Sequence, residues 1–207
     1  NYNRLIYNDR ILPYGRLREP AEECDRADII IVTKCPQNLQ PIDLRLINTN
    51  LKVKPHQRLY FSTFEYKEIY PVFSSVENQW NMAKLQEVKA GVLIVTGIVS
   101  ANELYHYVEE KLGYYEKMRF RDHHRFSKKD IARIARKFNN MTQKYKFILV
   151  SEKDAARLLS DVAFPENLKP YVYTIPIKVK FLLDQQEMFN KQIMDDVIKN
   201  KRNGRFS

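Results

Sequence analysis

Residues 91–99 read GVLIVTGIV, and Ser100-Ala101-Asn102-Glu103 follows them. An aliphatic run that is polar only at Thr96 reads as a strand buried on both faces. The Ser-x-x-Glu after it is a capping box, in which the serine oxygen takes the N–H three residues on and the glutamate reaches back. The helix it opens carries Leu104, Val108 and Leu112 on one face, and Gly113 stands where a C-terminal glycine belongs. The same junction recurs twice. Lys117–Arg121 (KMRFR) reads as a short strand, and Ser127-Lys128-Lys129-Asp130 opens a helix with Ile131, Ile134, Ala135 and Phe138 on one side. Lys146–Val150 (KFILV) runs into Ser151-Glu152-Lys153-Asp154 and a helix over Ala155–Leu159. The cap serines are 27 and 24 residues apart, the length of a βα unit. Three such junctions in register predict an α/β fold with a parallel sheet.

Outward from this repeat the signals change. Arg26–Lys34 (RADIIIVTK) is a further buried strand. Arg58–Phe73 and Tyr171–Leu182 are long, aromatic and roughly alternating, which suits paired linker strands, with Pro176 placing the second at an edge. Residues 184–200 read as a closing amphipathic helix with Phe189, Ile193 and Val197 on its buried side. The expected boundary falls at Lys54-Pro55. Residues 1–54 hold one strand and loops, the end of an incomplete domain, and residues 55–207 hold the linker and a smaller complete α/β domain.

The chain has 207 residues, 44% hydrophobic and 29% charged, enough for a packed core and unlike a disordered or fibrous composition. No apolar run approaches the ~20 residues of a membrane-spanning helix. Cys24 and Cys35 form no CxxC, which suits two reduced thiols in a cytosolic setting. The first residue is Asn1 and no signal peptide is present, which fits a fragment of a longer protein. The net charge is +10, and Lys111–Lys146 alone holds twelve Lys or Arg against three acids. Such a concentration points to an anionic partner: a membrane surface, a phosphorylated substrate or nucleic acid. No zinc-finger spacing or RNP-like motif accompanies it, so nucleic acid is not expected.

Two segments carry candidate chemistry. In Leu12-Pro13-Tyr14-Gly15-Arg16-Leu17-Arg18-Glu19-Pro20, a glycine turn presents Arg16, Arg18 and Glu19. Arginine suits bidentate phosphate binding; an ion pair that only fixes the loop is the competing reading. In Arg121-Asp122-His123-His124-Arg125-Phe126, the residues sit between a strand end and a capped helix, the edge where open parallel sheets bind ligands. Asp122 can hold an imidazole in one tautomer and leave the other nitrogen for proton transfer; solvated histidines in a capping loop are the alternative. Thr33-Lys34 ends a strand and invites comparison with base-reading loops of nucleotide-binding proteins. The glycines at 15, 91, 97, 113 and 204 allow no GxxxxGK[ST] or GxGxxG, and no GxSxG or HExxH occurs.

The ordered set YGRLREP, RADIIIVTK, VTGIVSAN and FRDHHRF resembles the tetraacyldisaccharide 4'-kinases of lipid A biosynthesis, in their Bacteroidetes form. The resemblance runs from the LPYGRLREP loop to the last strand. It implies the C-terminal part of a P-loop NTPase-like α/β/α domain, a smaller Rossmann-like α/β/α domain and a β-strand linker between them. It implies transfer of the ATP γ-phosphate, with Mg²⁺, to the 4'-hydroxyl of tetraacyldisaccharide 1-phosphate. It further implies a monomer at the cytoplasmic face of the inner membrane, held peripherally on anionic lipid. The family's Walker A loop, catalytic Asp and DDGxQH motif would precede Asn1, so this chain is expected to be inactive alone. Arg18 and Glu19 match the family's LRE loop, and His123, preceded by Asp122, matches the histidine that helps deprotonate the hydroxyl. His124 falls where members vary. Arg133 and Arg136, with Lys129 and Lys137, lie on the polar side of the second helix, suited to the substrate's 1-phosphate or to lipid. The alternative from another class is a non-catalytic basic α/β module that binds an anionic membrane or nucleic acid.

Overall fold

The structure is a computed structural model describing residues 1–98, 101–161 and 164–203. Its strands are β1 (Ile29–Val32), β2 (Arg58–Tyr66), β3 (Tyr70–Pro71), β4 (Gly91–Thr96), β5 (Tyr115–Arg119), β6 (Lys146–Ser151), β7 (Val172–Ile175) and β8 (Ile177–Phe181). Its α-helices are α1 (Pro41–Leu51), α2 (Met82–Glu87), α3 (Asn102–Leu112), α4 (Lys128–Asn140), α5 (Glu152–Asp161) and α6 (Gln186–Asn203). The chain forms two compact units, one from Tyr66–Ile177 and one from Asn1–Glu65 with Lys178–Ser207. The division therefore falls beyond the expected Lys54-Pro55 boundary. β2 belongs with β1, to which it pairs in parallel from Ile29↔Arg58 to Val32↔Phe61, and the end of the chain returns to that unit.

The 66–177 unit is built on a five-stranded sheet in the order β3-β7-β6-β4-β5. β7, β6, β4 and β5 are parallel, and the two-residue β3 runs antiparallel to β7. Every residue of β4 is buried, and successive side chains serve opposite faces. Val92 and Ile94 pack with Leu85, Leu104 and Val108. Leu93 and Val95 pack with Ile131, Ile134, Phe138 and Leu158. Helices thus cover both sides of the parallel sheet that the repeat predicts, the α/β/α layering that the resemblance implies. Trp80 is a packing residue, 4.9 Å from Phe147 ring to ring.

Of the three expected capping boxes, Ser100 lies outside the described residues. The second is formed: the Asp130 N–H donates to Ser127 Oγ (3.3 Å) and the Ser127 N–H to Asp130 Oδ2 (3.0 Å). In the third, the Asp154 N–H reaches Ser151 Oγ at 3.2 Å. β5 begins and ends two residues earlier than expected, so Arg121 lies in the following loop. Pro176 separates β7 from β8, and the expected edge position holds for β8 alone: β7 is an interior strand, buried throughout, and β8 is the edge of a second sheet.

That second sheet, in the order β1-β2-β8, carries the other unit. The β2–β8 neighbours realise the expected linker pairing, with the Leu182 N–H on the Phe61 carbonyl (2.8 Å). A helix that the sequence reading had not placed, α1, crosses between β1 and β2. Pro41 is its first residue, and the Asp43 carboxylate accepts from the Gln40 N–H at 3.2 Å. The buried cluster here is Val32, Cys35, Ile47, Leu51 and Phe61. On α6, Phe189 stacks on Phe181 (4.5 Å), but Ile193 and Val197 are exposed, contrary to expectation.

Candidate functional site

The connection after β4 leads to β5 on one side of it, whereas the connection after β6 leads to β7 on the other. Between the carboxyl ends of β4 and β6 the winding reverses, and open α/β sheets hold ligands in that crevice. Three chain segments meet there. Gly97 follows β4, Arg121–His124 follow β5, and Asp154 and Arg157 stand on the first turns of α5. A Cβ at Gly97 would lie 3.1 Å from the Arg121 carbonyl oxygen and 3.2 Å from Asp154 Oδ1, so a side chain here would crowd both neighbouring segments.

The floor of the crevice is Asp154, whose side chain is wholly buried. It accepts from the Gly97 N–H (3.1 Å) and the Ser151 hydroxyl (2.6 Å), and Arg157 Nη1 pairs with its Oδ1 at 3.1 Å. Arg157 Nη1 also donates to the Gly97 carbonyl (3.1 Å), and its Nη2 reaches His123 Nδ1 at 3.3 Å. The sequence reading took Ser151–Asp154 as a cap alone and missed Arg157. Its signal was the Asp154/Arg157 i,i+3 spacing, which places both side chains on one helix face.

The two adjacent histidines separate into different environments. His123 stands on a left-handed corner (φ +56°), its side chain 82% exposed, with Nε2 3.4 Å from Asp122 Oδ2. The nitrogen expected to be free, Nδ1, faces Arg157. His124 is half-buried, stacks on Phe120 (4.7 Å) and pairs through Nε2 with Asp130 Oδ2 (3.0 Å). Burial pushes the Asp130 carboxyl upward. The Ser127 hydroxyl and N–H, with His124, outweigh it and bring the group down to about 2. His124 thus anchors the start of α4, while His123 is displayed.

Arg133 and Arg136 line a recess of 360 Å³ with Glu116, Met118, Lys137 and Asn140. Arg133 lies over the Phe120 ring and 3.5 Å from Asp130, and Lys137 is tied to Glu116 (3.4 Å) and the Lys117 carbonyl (2.7 Å). Arg136 remains exposed.

The remaining expected residues belong to the other unit. There Asp9 organises the arginine loop: its Oδ1 accepts from the N–H groups of Arg10 (2.9 Å) and Arg16 (3.1 Å), which hold its carboxyl below the usual range. A Cβ at Gly15 would meet the Arg10 carbonyl oxygen at 2.1 Å, which explains the glycine. Glu19 pairs with Arg26 at 2.6 Å, the loop ion pair of the competing reading. Arg18 is exposed, and among the described residues no ion pair holds it. Thr33 is exposed, and Lys34, also left-handed (φ +58°), lies over the Phe64 ring. Both cysteines are free thiols. Among the described residues no three His, Cys, Asp or Glu side chains converge as a metal site.

Comparison with known proteins places the chain. The family model described as "Tetraacyldisaccharide-1-P 4'-kinase" matches residues 1–198. The tetraacyldisaccharide 4'-kinases of Phocaeicola vulgatus and Bacteroides thetaiotaomicron are 41% and 39% identical to it over its whole length. That of Porphyromonas gingivalis is 34% identical over 98% of it. In each case the chain spans 56% of the relative, about half its length. A crystal structure of LpxK from Aquifex aeolicus, in complex with ATP, matches 91% of the chain and 48% of its own, with a TM-score of 0.54 at 22% identity, and so shares the fold. On the match across nearly all of its residues, this chain belongs to the tetraacyldisaccharide-1-P 4'-kinase family.

Proposed function

We propose that this chain is the C-terminal portion of a lipid kinase that transfers the ATP γ-phosphate to the 4'-hydroxyl of tetraacyldisaccharide 1-phosphate. The observation that carries the reading is His123, displayed on a left-handed corner at the carboxyl edge of the parallel sheet, beside Asp122. The family match supplies the reaction class. Asp122 and His123 take part in removing the hydroxyl proton, and Arg18 supplies positive charge to the phosphate in flight, since phosphoryl transfer depends mainly on positioning and charge stabilisation. Arg16 and Glu19 shape the same loop, and Thr33 and Lys34 lie on the nucleotide side. ATP and Mg²⁺ would be held mainly by residues outside this chain, and 1–207 alone would not turn over. Arg133 and Arg136 face the substrate's 1-phosphate or the anionic surface of the inner membrane, where each cation contributes about 1 kcal/mol. In this reading the protein is a peripheral monomer on the cytoplasmic face; among the described residues no helix is long and apolar enough to cross a membrane.

The test is His123→Ala in the enzyme that carries this chain. Turnover should fall by about 10²–10⁴, the usual contribution of a proton-transfer group, with the KM for ATP unchanged. Unaltered turnover would overturn the role.

A further inference from the structure

We propose that Arg157, held by the buried carboxylate of Asp154, is a positioning residue that fixes the His123 imidazole in its Nε2–H tautomer and in one orientation. A guanidinium donates and cannot accept, so where Arg157 Nη2 approaches His123 Nδ1 at 3.3 Å the ring must offer a lone pair. An ionised carboxylate accepts and cannot donate, so Asp122 Oδ2, 3.4 Å from Nε2, calls for the proton on that nitrogen. The hydrogen bond from Arg157 selects a tautomer, and the charge of the neighbouring carboxylate favours the same one.

The ordering comes from below the ring. Asp122 is 39% exposed and cannot by itself immobilise a ring that is 82% exposed. The Arg157 side chain is 18% exposed and Asp154 is wholly buried. Nη1 is already committed to Asp154 and to the Gly97 carbonyl, which leaves Nη2 as the outward donor. The loop after β4 and the helix after β6 thereby set the position of a residue that follows β5. A left-handed backbone at a non-glycine residue is a strain of the kind found at functional sites. Here it turns the ring toward that donor. An Asp154–Arg157 pair serving only to brace α5 would not need the second guanidinium nitrogen to meet an exposed histidine.

The catalytic meaning of this arrangement rests on the kinase reading, but its test does not. In the 207-residue chain labelled with ¹⁵N-histidine, long-range ¹H–¹⁵N correlation at a pH where the imidazoles are neutral reports the tautomer of each ring. His56 and His106 are exposed and serve as solvent-averaged references. His123 should appear as the pure Nε2–H form, with a pyridine-like Nδ1 shift distinct from both. Arg157→Met should abolish at least half of that difference while the His124 signals, set by Asp130, stay in place. Arg157→Lys should do the same, because one ammonium cannot span Asp154, Gly97 and His123 together. If neither variant folds, the unsubstituted chain decides alone. His123 signals that coincide with those of His56 and His106, or that survive both substitutions, would overturn the assignment. Turnover of His123→Ala judges the kinase reading separately, so either idea can fail without the other.

Discussion

The two units of this chain are built from similar strands and helices, yet they bury them to different depths. In the 66–177 unit both faces of the sheet are covered, and Val92, Leu93, Ile94 and Val95 are each inaccessible to solvent. In the other unit β8 is exposed over most of its length and β1 has one buried residue. Among the described residues, thirteen of the nineteen exposed large apolar side chains belong to that unit, including Ile42, Leu46, Met188, Ile193, Met194 and Val197. Four of the six in the 66–177 unit are tyrosines, which keep a polar tip in water. A βα repeat that winds both ways around one sheet closes its own core. A single βαβ crossover with a returning strand does not.

The contrast can be broken or sharpened by substitution. Leu93→Ala removes a side chain enclosed on every side, and we expect a loss of about 2–5 kcal/mol in denaturant unfolding followed through the 66–177 unit. A loss below that range would mean the two-sided core is less tight than its burial implies. Asp130→Asn should have a smaller effect, present at neutral pH and fading in acid. The folded carboxyl sits at about 2, below its ordinary value of 3.8. Its contribution is therefore in place above about pH 4 and disappears as pH falls through about 2. A pH titration of stability should show that acid limb in the unsubstituted chain and a flatter one in the variant. The smallest change is expected for Ile193→Ala in the other unit, within about 0.5 kcal/mol, because the side chain is already in water. A larger loss would show that the α6 face is covered in solution.

What the sequence disclosed follows the same division. β4 and β6 were legible because strands buried on both faces are apolar at every position. Ser127 and Ser151 were legible because a cap is a local device, complete within four residues. β5 was placed two residues late because its inner and outer side chains alternate and blur the ends. α1 opens on Gln40-Pro41 rather than on a Ser, Thr or Asp cap, and α2 spans too few residues for a helical period to emerge. The site was half legible. His123 and Asp122 stood out by residue type, and Arg18 and Glu19 by the loop that carries them. Arg157 did not, since it lies 34 residues from His123 and meets it only through the winding of the sheet. Nor does any residue type announce the left-handed backbone that displays His123.

The 66–177 unit begins and ends at neighbouring points: the Lys67 N–H donates to the Pro176 carbonyl at 2.9 Å. Its folding therefore brings together two stretches of the other unit that are more than a hundred residues apart in the chain. Closing a flexible loop of that length costs roughly 4 kcal/mol in entropy, a burden the thinly packed β1-β2-β8 sheet is poorly equipped to carry. With the inserted unit already formed, β8 arrives beside β2 as though joined to it by a short turn. The better-packed unit thus acts as a built-in staple for the β2–β8 pairing.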